Sequence, residues 1–218
     1  MKKKGFTLAE LMVSMGIIGV IAAITLPALM QNSQKGQIGP KLTKTVAMFE
    51  QANTALLTAK GVDNLLDTAM IQTSANNDDS YANQLTNHLK ATITSDTIGT
   101  LPPGFSSKNL HATILTNDGS MLAIYPGTAT TNNGKPAYKQ IIGSVIIDIN
   151  GVRAGTQKAG EDVFAFTWWA DGSLKPYGGT GADSGYDWTK SCKENAVPTD
   201  SWACAGHIFE NNFKVLYK

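Results

Sequence analysis

Lys2-Lys3-Lys4-Gly5-Phe6-Thr7-Leu8-Ala9-Glu10, followed by 20 uncharged residues from Leu11 to Met30, is the stretch that decides how this chain reads. At about 1.5 Å rise per residue, a helix of that length spans roughly 30 Å, the thickness of a bilayer's hydrocarbon core. The lysines ahead of it predict a cytoplasmic N terminus by the positive-inside rule. One membrane span and a large translocated remainder follow. The segment admits three descriptions: a secretory signal peptide, a plain anchor, or something more specialised. A signal peptide has an apolar region of about 7–15 residues and a small-residue cleavage site. Here the run is longer, and Pro27-Ala28-Leu29-Met30 matches such a site poorly. A plain anchor has no need of Glu10, since an intramembrane carboxylate costs a few kcal/mol and marks function.

Whole-chain averages hide this organisation. The 218 residues set a soft prior of one domain, at most two. Charged residues make up 16%, below the roughly 25% usual for soluble domains. With 42% apolar residues and a net charge of +1, the chain is neither disordered nor a nucleic-acid binder relying on overall basicity. A slightly negative mean hydropathy argues against a multi-span transporter. These figures average a basic leader, an uncharged span and a remainder whose acidic residues outnumber its basic ones. Removing Lys2, Lys3 and Lys4 takes the 18 basic residues below the 17 acidic ones.

Lys-Lys-Lys-Gly5, then Phe6-Thr7-Leu8-Ala9-Glu10 and the unbroken apolar run, resembles the N terminus of type IV pilins and of the pseudopilins of type II secretion. The resemblance covers about the first 30 residues. It implies that a prepilin peptidase cuts between Gly5 and Phe6 and methylates the new terminus at Phe6. It implies an assembly role for Glu10 and marks Gly19 and Pro27 as the helix-weakening glycine and proline often found there. A buried amine and a buried carboxylate are each costly alone and tolerable as a pair. Glu10 paired with a neighbour's Phe6 amine would therefore set the register of a helical bundle. The bland alternative is a Glu10 that snorkels to the lipid headgroups.

Beyond the span, Ile38, Leu42, Val46, Phe49, Leu56 and Leu57 follow helical spacing and predict an amphipathic continuation ending near Gly61. Gly36, Gly39 and Pro40 predict a kink or break near residue 40. A shorter helix is expected from Tyr81 to Lys90, preceded by the capping-rich Asn76-Asn77-Asp78-Asp79-Ser80. The period then changes. Ala112 to Thr116 and Met121 to Tyr125 flank the hairpin signal Asn117-Asp118-Gly119. Ser144 to Asp148 and Val163 to Trp169 read as buried strands, and Ala170-Asp171-Gly172 turns the chain toward Leu174. His207 to Tyr217 reads as two short strands around Glu210-Asn211-Asn212, and Gly127 to Gly134 and Gly178 to Gly185 read as loops without a packing signal. The expectation is an α+β, pilin-like fold, a long N-terminal helix with its first half transmembrane, packed on a C-terminal antiparallel β-sheet head. Its parts are a leader at 1–5, a membrane or filament-core helix at 6–30, an amphipathic helix at 31–61 and a head at 62–218. Asp148-Ile149-Asn150-Gly151, Glu161 to Phe166, Asp171-Gly172 and Cys204-Ala205 are similar to a group of bacterial pilin-like proteins with a shared head.

Cys192 and Cys204, close in sequence in a translocated head, read as a disulfide, the alternative being two free thiols. The resemblance adds that many pilins pin a C-terminal loop in this way. Asp148, Asn150 and Asp162 make an oxygen-rich set around a glycine-rich loop, suited in principle to calcium. The same Asp-x-Asn-Gly is also a common turn in which Asp and Asn bond their own backbone, the preferred reading. Alternation along the strand allows only one of Trp168 and Trp169 into the core, and Trp188 and Trp202 flank the cysteines. Local packing is preferred over a sugar-binding or partner-binding patch. There is no Gly-x-Ser-x-Gly, phosphate-cradling loop or His-Glu-x-x-His, and a disulfide accounts for Cys192 more simply than a nucleophile paired with His207. The chain therefore reads as a non-enzymatic structural subunit of a type IV pilus or a type II secretion-like filament. Its expected partners are prepilin peptidase, other pilin or pseudopilin subunits and the assembly machinery of the cytoplasmic membrane, with no nucleic acid indicated. The expected route is a single-pass membrane protein that enters a cell-surface or periplasmic filament. The alternative is a membrane-anchored extracellular binding or adhesin module that never polymerises.

Overall fold

The computed structural model describes residues 5, 7–68, 70–72, 77–127, 140–151 and 157–217, the side chains of 27–34, 72 and 107 excepted. Phe6, the lysine leader and most of the loop from Gly127 to Gly134 lie outside the described residues. The chain divides into two units, Met1–Gln37 and Ile38–Lys218.

Helix α1 is assigned from Leu8 to Lys60 and belongs to both units. Its first stretch, Leu8–Leu26, has a mean hydropathy of 2.1 and is long and apolar enough to cross a membrane. Of the kink or break expected near residue 40, the break does not occur, because helix runs through Gly36, Gly39 and Pro40. Proline removes one i→i−4 hydrogen bond, but the neighbouring turns hold. Gly39 has a packing reason to be there: a Cβ at this position would sit 1.8 Å from the Phe213 carbonyl oxygen. The helix stops at Gly61, whose φ of +68° favours glycine, and the Val62 amide closes back on the Leu57 carbonyl.

In the second unit, Leu42, Val46, Phe49 and Leu56 form the buried stripe of α1. They meet one face of a six-stranded antiparallel sheet in simple sequential order. The strands are β1 (Thr92–Thr94), β2 (Ala112–Leu115), β3 (Met121–Pro126), β4 (Ile141–Asp148), β5 (Val163–Trp169) and β6 (Leu174–Pro176). Leu122 and Ile124 of β3, Val145 and Ile147 of β4, and Phe164, Phe166 and Trp168 of β5 face α1. Their alternates Met121, Ala123, Tyr125, Ile146, Val163 and Ala165 build a second cluster on the other face with Ile98 and Trp202. A bulge at Ile142 shifts the β4–β5 register between Ile141 and Gly143, so Ile142 and Val145 share a face despite odd spacing. Helix α2 (Tyr81–Leu89), capped by the Ser80 hydroxyl, adds Tyr81, Leu85 and Leu89 to the first cluster. The α+β architecture is the one expected from the sequence.

The C-terminal region differs from expectation. Cys204–Glu210 is helix α4, not a strand, and residues 214–217 carry no regular structure. Small residues decide this. A Cβ on Gly206 would fall 2.3 Å from the Gly179 nitrogen, so α4 lies against the backbone of the Gly178-Gly179 turn. That contact also makes the segment from Gly178 a packed turn, where the sequence showed only loop composition. A four-residue helix α3, Trp188–Ser191, precedes the cysteine loop.

Candidate functional site

At the start of α1, Thr7 and Glu10 form a reciprocal cap. The Thr7 amide and hydroxyl each donate to Glu10 Oε2 at 2.8 Å, and the Glu10 amide returns to Thr7 Oγ1 at 3.3 Å. This Thr-x-x-Glu arrangement satisfies amides that a helix start leaves unpaired. Glu10 is thus fixed at the head of an apolar surface with no partner among the described residues: Leu8, Met15 and Ile24 are 78%, 72% and 72% exposed. Gly19 and Pro27 lie inside α1, and among the described residues no atom beyond the local helix backbone comes within 4 Å of a Cβ placed on Gly19. Gly5 is exposed, and Phe6 lies outside the described residues.

At the other end of the sequence, Cys192 and Cys204 form a disulfide with their Cα atoms 5.4 Å apart, both side chains fully buried. The loop they close is tied down at both flanks. Asp187 caps α3 by accepting from the Thr189 amide, and Asp200 does the same for the turn at Trp202. Asn195 in the loop donates its amide to the Leu216 carbonyl at 2.8 Å. Glu210 of α4 accepts from the Thr180 amide and from Trp188 Nε1. Partial burial pushes the Glu210 carboxyl up, but those hydrogen bonds outweigh it and hold it below its ordinary range. Trp168 is fully buried while Trp169 is half-buried and donates to Thr167 Oγ1, as strand alternation requires. Trp202 is buried and Trp188 half-buried.

Asp148, Asn150 and Asp162 come together, and Asp148 acts there as a turn former. Its Oδ1 accepts from the Asn150 and Gly151 amides at 2.9 Å, and its Oδ2 accepts from Gln157 Nε2 at 3.0 Å. Asp162 accepts from the Lys158 amide. Burial pushes the Asp162 carboxyl up; the Lys158 hydrogen bond opposes this and the nearby Asp148 charge adds to it. Three N–H donors on one carboxylate leave it engaged with its own chain, and no group of three or more His, Cys, Asp or Glu suited to a metal occurs among the described residues.

A family profile described as the prokaryotic N-terminal methylation motif matches residues 1–26. The chain carries a prepilin-type N terminus. The chain is also 38% identical, over 61 residues, to the type IV major fimbrial protein FimA of Dichelobacter nodosus. That match covers 28% of this chain, which spans 38% of the relative's length. No solved structure matches it.

Two features of the chain were not expected from its sequence. Thr7 was legible in principle, because Thr-x-x-Glu ahead of an apolar run signals a cap. Asn53 was not. It occupies a buried position within the apolar stripe of α1, and only the fold supplies its partners Tyr81 and Gly172.

Proposed function

We propose that the chain is a pilin-like structural subunit, processed between Gly5 and Phe6 and assembled through α1 into a filament whose surface is the β-rich head. The observation that carries this is the unpartnered apolar surface of Leu8–Leu26 directly behind a prepilin-type motif. Eleven large apolar side chains between Leu8 and Leu26 are exposed. At about 2 kcal/mol each, burying them contributes on the order of 20 kcal/mol. A membrane supplies that burial before assembly, and the same segments of neighbouring subunits supply it afterwards.

In this reading prepilin peptidase acts first, on a chain held in the cytoplasmic membrane with its N terminus inside. Phe6 becomes the methylated terminus. Glu10 then pairs with the Phe6 amine of an adjacent subunit, exchanging its cap for a buried ion pair that sets register. The head contributes packing and surface, and the function is mechanical rather than catalytic.

Mass spectrometry of the mature N terminus tests the processing step, with an N-methylated Phe6 expected. Retention of Met1, or cleavage far from Gly5, overturns it. Glu10→Ala tests assembly. Loss of filaments with the subunit still in the membrane is expected, whereas unchanged surface display would favour an anchored adhesin that never polymerises.

A further inference from the structure

His207 lies on α4, three residues after Cys204, and is 1% exposed. The Trp188 ring of α3 stands edge-on to the imidazole at 5.0 Å, and the Tyr217 ring of the C-terminal tail stands edge-on at 5.2 Å. Neither Nδ1 nor Nε2 has a hydrogen-bond partner among the described residues. A neutral imidazole carries one donor and one acceptor, and the charged form carries two donors. Protonation would therefore place a full charge on a ring that is buried and faced edge-on by two aromatic side chains.

The groups around the ring do not reverse this. Alpha helix α3 presents Trp188. In the disulfide loop, the Cys192 backbone and the Glu194 charge favour a protonated ring. The tail presents Tyr217, whose buried phenol is held neutral. On α4, Glu210 directs its carboxylate to Thr180 and Trp188. Burial exceeds the Glu194 and Cys192 contributions, and the imidazole titrates below its ordinary value.

The imidazole packs against rings from two other segments, Trp188 of α3 and Tyr217 of the tail. The tail leaves α4 through an αL turn, with Asn212 at φ 54° and the Phe213 amide bonded to the Ile208 carbonyl. It then docks by the Asn195 amide on the Leu216 carbonyl and by the Tyr217 hydroxyl on the Gly160 carbonyl. We propose that His207 is an acid-released latch: protonating it expels the imidazole from between Trp188 and Tyr217 and frees the tail from the disulfide loop. The Cys192–Cys204 bond keeps α3 joined to α4, so release is confined to the tail and reverses on neutralisation. A histidine whose folded value lies below its unfolded one stabilises the fold above about pH 6.5, and that stabilisation is lost as the pH falls.

Hydrogen–deuterium exchange on the full chain in detergent, corrected for intrinsic rates, tests the latch. The Asn195 amide and residues 213–217 should lose about tenfold in protection between about pH 7.5 and pH 5. His207→Phe, which keeps a ring in the box, should abolish that loss. Equal loss in both proteins, or none in the wild type, overturns the proposal. Should His207→Phe fail to fold, imidazole NMR of the wild type decides. The histidine with contacts to Tyr217 must titrate below about 6.5, and a midpoint at or above that value overturns the latch.

Discussion

Replacing Asn53 by alanine probes the joint between α1 and the head. Asn53 is fully buried. Its Nδ2 donates to the Phe49 carbonyl at 3.0 Å and the Gly172 carbonyl at 3.2 Å, and its Oδ1 accepts from the Tyr81 hydroxyl at 2.7 Å. The alanine variant leaves the Tyr81 hydroxyl buried without an acceptor, which costs about 1–3 kcal/mol. Losing the bond to Gly172 adds about 1 kcal/mol. The better helix propensity of alanine returns about 0.5 kcal/mol. The net expectation is a loss of about 2–3 kcal/mol, or roughly 5–10 °C in Tm at this chain length. Near-UV circular dichroism is the suitable readout, because the Tyr81 and Trp168 rings lie 4.6 Å apart and should lose their fixed geometry together. Tyr81→Phe removes the orphaned hydroxyl, so the double variant should cost at least 1 kcal/mol less than the two single losses added together. Additivity within about 0.5 kcal/mol would refute this account of the joint.

Gly39→Ala forces a Cβ to 1.8 Å from the Phe213 carbonyl oxygen, so α1 or the tail must shift; a Tm lowered by several degrees is expected, and an unchanged melt would contradict that contact. Reducing Cys192–Cys204, or replacing both cysteines by serine, should cost on the order of 3 kcal/mol, read as a drop in denaturation midpoint with an unchanged fold at low temperature. Partial burial pushes the Asp118 carboxyl up, but hydrogen bonds from Thr116, Lys44 and Ser120 outweigh it and bring it to about 2. Its contribution is therefore present above the unfolded value of about 3.9 and fades as pH falls toward 2; Asp118→Asn should flatten that acid limb in pH-dependent melting. Because Asp148 is occupied by Asn150, Gly151 and Gln157, millimolar calcium should leave Tm unchanged, and a rise of several degrees would mean that a cation displaces those donors.

The sequence was most informative where a residue's meaning depends on its neighbours along the chain. Val163 to Trp169 was read as a strand and is one, because alternating large side chains on a β-branched and aromatic segment admit little else. The hairpin around Asn117-Asp118-Gly119 and the helix from Tyr81 follow from local turn and capping chemistry in the same way. The lysine leader, Gly5, Glu10 and the uncharged run make the prepilin-type N terminus legible without any fold at all, since such a motif is a matter of composition and spacing along the chain.

Residues whose partners lie far along the chain could not be read so. Helix α4 looked like strand because His207, Ile208 and Phe209 favour neither state strongly, and the close fit of Gly206 on Gly178-Gly179 decided between them. Gly36, Gly39 and Pro40 suggest a kink or break, but loss of one hydrogen bond is too small to end a helix that neighbouring turns and the Gly39–Phe213 contact sustain. Asn53 gives no sign of its role in the sequence, because its partners Tyr81 and Gly172 lie 28 and 119 residues away and only the fold brings them within hydrogen-bonding distance. The sequence by itself determined the prepilin-type motif over residues 1–26 and the apolar stretch Leu8–Leu26, because both are properties of a linear segment. Only the tertiary structure decided which polar groups are satisfied and which, like the His207 imidazole between Trp188 and Tyr217, are enclosed among aromatic rings, because burial is a property of distant segments brought together.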